Sequence, residues 1–187
     1  QCAVPFTPVP GRRLLAADSA VRQALAQAMM GLSQQSRLSS AHITFATAEQ
    51  CEELAPLGFM TRVGLQYHWF NDGYRSFDDF LAALSSQKRK TIRRERARAC
   101  EGLRVRRLRG PEITADDWDV FFRCYMDTGS RKWGSPYLNR TFFALLSETM
   151  GDDCVLFVAD EDGHPVASAL NLVGSHALYG RYWGTHV

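Results

Sequence analysis

The chain has 187 residues, 45% hydrophobic and 22% charged, a globular composition that excludes disordered and fibrous classes and allows one ordinary domain or two small ones. No apolar run approaches the roughly 18 residues that a membrane helix needs. The net charge of +2 hides a concentration: 11 of the 22 basic residues lie between Lys88 and Arg109 against only Glu95 and Glu101, leaving the rest with 11 basic and 18 acidic groups, a net of −7. Such a cationic segment in an acidic protein points to an anionic partner, with a solvated helix face as the alternative.

The stretch Val4 to Gly11 is too rich in proline for helix and reads as an extended loop. Arg12 to Ala16 fits a short strand, and Asp18 is placed to cap a helix that runs through Met30 and closes at Gly31. Ala41 to Ala46 is expected as a strand and Ala48 to Ala55 as a short helix capped by Thr47. From Phe59 to Phe70 the residues alternate, with Thr61, Val63, Leu65, Tyr67 and Trp69 on one side and Arg62, Gly64, Gln66 and His68 on the other, which predicts a half-buried strand. Ser76, with Asp79 three residues on, opens one long helix that Gly102 stops; its second half is crowded with arginine.

Leu103 to Arg109 is predicted as a strand, and Thr114 caps a helix in which Trp118, Phe121, Phe122 and Tyr125 fall at i, i+3, i+4 and i+7. A loop from Gly129 to Leu138 leads to a second helix capped by Asn139. Three strands follow, Cys154 to Ala159, Val166 to Val173 and Ala177 to Trp183, separated by turn-forming residues around Asp162-Gly163 and Gly174-Ser175. From Leu103 onward this is the element order of the opening half of a GNAT-type acyltransferase fold, and the order before Ser76 is similar to its closing half.

The five cysteines (Cys2, Cys51, Cys100, Cys124 and Cys154) are scattered and contain no C-x-x-C pair. Disulfide scaffolds and zinc ribbons need closer spacing, so a reduced, cytosolic protein is expected, with each cysteine a small buried side chain. The chain begins at Gln1 without an initiator Met or a signal-type stretch, so no address can be read, and it is expected to be a piece of something longer. No metal-ligand cluster, Ser-His-Asp set or Walker loop is legible.

Several stretches resemble bacterial FemAB-like proteins: Pro5-Phe6-Thr7-Pro8-Val9, Gln66-Tyr67-His68-Trp69, Gly73-Tyr74, Ser76 to Leu81, Lys88-Arg89-Lys90, Arg131 to Gly134, Pro136-Tyr137-Leu138 and Leu178 to Gly184. The family groups with the peptidoglycan-bridge aminoacyltransferases. The resemblance spans essentially the whole chain and implies a mixed α/β (α+β) tandem GNAT-like fold: residues 1–75 closing a first domain, 76–102 a connecting basic helix, and 103–187 opening a second. Both domains would be incomplete, and a piece of this extent is expected to be inactive alone. The implied activity is transfer of an acyl group from acyl-CoA or aminoacyl-tRNA to an amine, with a peptidoglycan precursor as acceptor and no cofactor beyond the donor.

The candidate site residues follow from these two lines of reading. Lys88, Arg89, Lys90 and Arg93 belong to two helical stripes, Arg89, Arg93 and Arg96 in one and Lys90, Arg94 and Arg98 in the other, that suit the phosphates of a donor. The resemblance to peptidoglycan-bridge enzymes implies that the region is similar to a contact for the tRNA donor. Gln66, His68, Asn71 and Tyr74 gather polar and aromatic groups at one strand end, where His68, with an ordinary pKa of about 6.5, is a candidate general base or a local hydrogen-bonding group. Arg131, Lys132, Trp133 and Tyr137 lie in the loop that borders the acceptor site of GNAT folds. On the last strand, Tyr179, Arg181 and Trp183 are expected on one face and Gly180 and Tyr182 on the other, with Tyr179 or Tyr182 assisting proton transfer and Arg181 and Trp183 facing the acceptor. The rival reading is a non-catalytic module that grips RNA or another anionic ligand through the basic helix.

Overall fold

The computed structural model describes residues 9–131 and 136–186; Cys2, Lys132 and Trp133 lie outside them, as does the Val4 to Pro8 part of the expected leading loop. The chain divides into two units, Gln1–Asn71 and Asp72–Val187. Among the described residues there are six α-helices and one four-stranded antiparallel sheet, a mixed α/β structure.

In the first unit, Asp18 caps α1 (Ser19–Gln35), its Oδ1 accepting from the Ala20 and Val21 amides at 2.6 and 3.3 Å. The helix passes through Gly31, where a stop was expected, because one glycine costs a helix only about 1 kcal/mol; it ends where Arg37 takes a positive φ of 52°. Thr47 caps α2 (Ala48–Leu54) as predicted. Leu14, Ala26 and Leu54 form the small core, flanked by Ile43, Leu57 and Phe59.

The three strands expected in this unit do not form. Around Arg12 to Ala16 the backbone is held by a buried side chain: the Arg13 amide donates to Gln50 Oε1 at 2.8 Å, and Gln50 Nε2 donates to the Leu14 carbonyl at 3.0 Å. That amide satisfies groups a ladder would have used. Between Ala41 and Ala46 only Ile43 makes a β-bridge. Phe59 to Phe70 is outside any strand, and Val63, Leu65, Tyr67 and Trp69 are exposed, so alternation is present without a paired neighbour among the described residues.

In the second unit, the single long helix expected from Ser76 to Glu101 is two helices, α3 (Phe77–Ala83) and α4 (Ser86–Ala99). Leu84 is extended at φ −87°, ψ 158°, and the Ser85 hydroxyl accepts from the Lys88 amide at 3.5 Å. A serine that bonds the backbone just ahead of it favours a cap over a helix interior. Arg96 lies 4.3 Å over the Phe77 ring and Arg93 Nη2 is 3.2 Å from Asp78 Oδ1, so α4 folds back on α3.

The sheet follows the predicted order closely. β1 (Leu103–Arg109), β2 (Cys154–Glu161), β3 (His164–Val173) and β4 (Leu178–Thr185) form a meander in which each strand pairs with the next. Asp162 and Gly163, at φ 50° and 81°, make the two-residue turn between β2 and β3, the Asp-Gly pattern that suits the twist of a hairpin. Thr114 caps α5 (Ala115–Ser130) and Asn139 caps α6 (Arg140–Met150).

One face of the sheet carries Leu108, Leu156, Val158, Leu170, Leu172 and Tyr182 against Trp118, Phe121 and Tyr125 of α5 and Phe143 of α6. Phe121 and Phe143 are edge to face with centroids 5.2 Å apart. Helix α5 comes closest to the sheet at Gly184, where an added Cβ would lie 2.3 Å from Thr128 Oγ1 and 2.4 Å from the Cys124 carbonyl oxygen. Of the four described cysteines, all free, Cys124 and Cys154 are buried as expected, whereas Cys51 is half-buried and Cys100, the C-cap of α4, is exposed.

Arg106 ties three elements together. Its Nε donates to Asp160 Oδ2 on β2 at 2.8 Å and its Nη1 to Asp117 Oδ1 on α5 at 2.9 Å. Asp117 also accepts from the Thr114 amide and hydroxyl at 3.0 and 2.7 Å. Asp117, in the first turn of α5, is buried and shared between cap and ion pair. Burial pushes its carboxyl pKa up, but Thr114 and Arg106 outweigh burial and hold it below the ordinary value.

Two outcomes are expected. Gly184→Ala should destabilise the second unit by about 1–3 kcal/mol in denaturant unfolding, since the colliding atoms include helix backbone. Arg106→Met should cost about 2–3 kcal/mol, because it strands two carboxylates. As the Asp117 pKa is depressed in the fold, its stabilisation is present above the unfolded pKa and disappears as pH falls through the folded one; the penalty of Arg106→Met should therefore shrink in acid.

Candidate functional site

The strand β4 does not keep a simple alternation. Leu172 faces Tyr179 and Asn171 faces Gly180, but Leu170 faces Tyr182, so Arg181 is inserted as one extra residue. Leu170 and Leu172 share a face of β3, and the bulge therefore returns Tyr179 and Tyr182 to one common face, with Trp183, opposite Ala169, on the other. This corrects the expected grouping of Tyr179 with Trp183. Trp183 is 72% exposed on the face away from α5.

At the bulge three side chains converge. The Tyr137 and Tyr182 hydroxyl oxygens are 2.5 Å apart, and Arg181 Nη2 donates to the Tyr137 oxygen at 2.7 Å. The Arg181 guanidinium also lies 4.0 Å over the Tyr182 ring. Tyr182 is half-buried; burial raises its phenol pKa above the ordinary value near 10, and the hydrogen bond with Tyr137 raises it further against the opposing charge of Arg181. Either hydroxyl can be the donor in the pair. Tyr182 is thus held in its neutral form, able to donate or accept a hydrogen bond.

The loop that brings Tyr137 here is anchored on α5. Pro136 packs where a Cβ on Gly129 would be, 2.2 Å from its Cγ, and the Leu138 amide donates to the Tyr125 hydroxyl at 3.2 Å. Arg131 caps the end of α5 and pairs with Asp127 at 2.6 Å. Tyr179 lies on the Tyr182 face, 42% exposed, near Gly174.

Helix α4 presents the cationic surface. Its first basic stripe is engaged by its own unit: Arg89 Nη2 donates to the Leu84 carbonyl at 3.2 Å, Arg93 meets Asp78, and Arg96 covers Phe77. The second stripe, Lys90, Arg94 and Arg98, is exposed, as is Lys88. A shallow depression of about 520 Å³ lies between the stripes, lined by Ser86, Arg89, Lys90, Arg93 and Arg94.

The third group is not assembled into a site by what is described. Gln66, His68 and Asn71 belong to the first unit and are exposed; His68 Nε2 is 3.3 Å from Gln66 Oε1, and its ring stacks on Phe70 at 6.1 Å. Tyr74 belongs to the second unit, with its ring edge to face with Phe80 at 5.6 Å. Sequence reasoning overlooked the hydroxyl of Tyr125, hidden within a core-type helical spacing, and the bulge at Arg181, a residue it had named only as an acceptor-side candidate. Gly180 and Gly184 were the available signal, since glycine inside a strand marks a bulge or a close backbone approach.

Among the described residues no helix is long and apolar enough to cross a membrane. Compared with known protein families, the whole chain, residues 1–187, matches the FemAB-like family model, described as peptidoglycan biosynthesis/recognition. No curated protein matches the chain.

The Tyr182 phenol makes a pH-dependent contribution with a defined sign. A raised acid pKa in the fold stabilises the protein fully below the unfolded value near 10, and this contribution fades as pH climbs toward the folded value. Urea unfolding from pH 9 to 11 should show a steeper loss of stability in the native sequence than in Tyr182→Phe.

Proposed function

Because the chain belongs to the FemAB-like family of peptidoglycan biosynthesis and recognition, we propose that it serves transfer of an acyl or aminoacyl group to an amine, on a fold of tandem GNAT-like type. The observation that carries this reading is the Tyr137, Tyr182 and Arg181 cluster at the bulge of β4. In such a transfer the amine nitrogen forms the new C–N bond to the donor carbonyl, and the C–O or C–S bond to the leaving group breaks. A phenol proton passes to the leaving oxygen or sulfur, and the proton released by the amine returns to the phenol pair. Two hydroxyls 2.5 Å apart suit that exchange. Arg181, donating to Tyr137, stabilises negative charge that develops on that oxygen.

The phosphates of the donor, acyl-CoA or aminoacyl-tRNA, would lie on α4, with Lys88, Lys90 and Arg94 on its exposed side and Arg89 and Arg93 lining the depression. A peptidoglycan precursor is the acceptor class that the family supports. Tyr179, Arg131 and the loop at Tyr137 are the acceptor-side candidates on the second unit, together with Lys132 and Trp133, while Gln66, His68 and Asn71 are kept as candidates on the first. The depression on α4 also favours a second reading, a non-catalytic module that binds RNA or another anionic ligand.

Titration of the full-length protein with acyl-CoA, aminoacyl-tRNA and uncharged tRNA, using a peptidoglycan precursor amine as acceptor, separates the two. The transferase reading expects turnover with one donor, a fall in kcat of about 10²-fold in Tyr182→Phe, and weaker donor binding with little change in kcat in Arg94→Glu. Equal binding of charged and uncharged tRNA, a steep salt dependence and no turnover would replace it with the binding module.

A further inference from the structure

Tyr125 stands at the junction of the two elements that build the phenol pair. Its ring, on the core-facing side of α5, meets the Tyr182 ring edge to face at a centroid distance of 5.0 Å. Its hydroxyl accepts the Leu138 amide at 3.2 Å, and Leu138 follows Tyr137 directly. One side chain therefore touches both partners of the pair, one through its ring and the other through the adjoining backbone. Packing alone does not explain a tyrosine here. The neighbouring rings, Phe121 at 6.4 Å and Phe143 at 5.6 Å, fill the core without a hydroxyl, and a phenylalanine would fill the same place. The hydroxyl is accounted for by the Leu138 amide, a half-buried donor that the loop must otherwise leave to water.

The next turn of α5 repeats the device. Gly129, four residues beyond Tyr125, holds Pro136 so closely that no Cβ fits between them. Pro136 and Leu138 flank Tyr137, so the loop is pinned on both sides of the residue that reaches the site.

We infer that Tyr125 is the positioning residue of the phenol pair: its hydroxyl docks the 136–138 loop on α5 while its ring sets Tyr182, so that the Tyr137 hydroxyl arrives at Tyr182 and Arg181 only when the loop is docked. Tyr125 acts through Tyr137 and touches no reacting atom. The inference deepens the transfer reading by naming what aligns its site, and it stands or fails on geometry that can be measured without turnover.

The test labels the tyrosines with ¹³C at Cζ and follows their ionisation by NMR, with Tyr182 assigned by its loss in Tyr182→Phe. The groups that face Tyr182 are Tyr137, Arg181 and Tyr125. In the native sequence Tyr182 should ionise above the ordinary phenol value near 10. In Tyr125→Phe the ring remains and the dock is lost, so the Tyr182 midpoint should fall by about one pH unit, close to its fall in Tyr137→Phe. The Leu138 amide should lose hydrogen-exchange protection at the same time. Gly129→Ala, which pushes Pro136 away without touching either tyrosine, should reproduce both changes and covers the case in which Tyr125→Phe folds poorly. A Tyr182 midpoint that moves in Tyr137→Phe but stays put in Tyr125→Phe and Gly129→Ala would overturn the inference, as would one that moves in none of the three. Absence of turnover in the full-length protein, with these shifts intact, would remove the transferase reading and leave the positioning role standing.

Discussion

The second unit depends on how near α5 can come to β4. At Gly184 the helix backbone at Cys124 occupies the volume in which any larger residue would place its first carbon. That approach lets one helix face serve two purposes one residue apart: Cys124 and Thr128 lie against the strand, and Tyr125 and Gly129 hold the loop. Were the helix lifted by the thickness of a methyl group, the ring contact between Tyr125 and Tyr182 would open together with the apolar packing of Trp118 and Phe121 on the sheet. Stability and alignment thus draw on the same contact, although a loosened site need not mean an unfolded one.

The basic segment that dominates the sequence is physically heterogeneous. Arg106 is consumed by Asp117 and Asp160, where it binds strand to strand and strand to helix, and its charge is cancelled locally. Arg89, Arg93 and Arg96 are turned toward α3 and its connection, one to a carbonyl, one to a carboxylate and one to a ring. The outward field of α4 is left chiefly to Lys88, Lys90, Arg94 and Arg98. A count of positive charges therefore overstates what a phosphate would meet, and the break at Leu84 is the reason: it allows the helix to double back and use part of its own charge.

The second unit was readable because its signals are local. Thr114, Asn139 and Ser76 sit ahead of amphipathic spacing and cap their helices, and Asp162-Gly163 between two apolar runs makes its hairpin. The first unit was less readable because alternation describes a strand's faces but not its neighbours. Phe59 to Phe70 has the right period and no paired edge among the described residues, while Arg12 to Ala16 gives its backbone bonds to Gln50, a residue that local propensity does not connect with it. The helix break was missed because apolar spacing spans it, and Ser85-Ser86 was the overlooked cue. At the candidate site, the chemistry of Tyr182 and Arg181 was visible as residue types; their geometry was not, since a single inserted residue exchanges the faces of a strand.

The stretch from Met60 to Phe70 gives the molecule a colloidal character of its own. Met60, Val63, Leu65, Tyr67, Trp69 and Phe70 are all more than half exposed along eleven consecutive residues that hold one formal charge, at Arg62. Apolar on alternate positions and nearly uncharged, this is the kind of segment from which intermolecular cross-strand stacking begins. Its tendency to do so would rise with concentration and with salt, as ions mask the one charged group that keeps two such segments apart. The shelf life of the protein in a tube would then be governed by a different part of the chain from the one proposed to carry its chemistry.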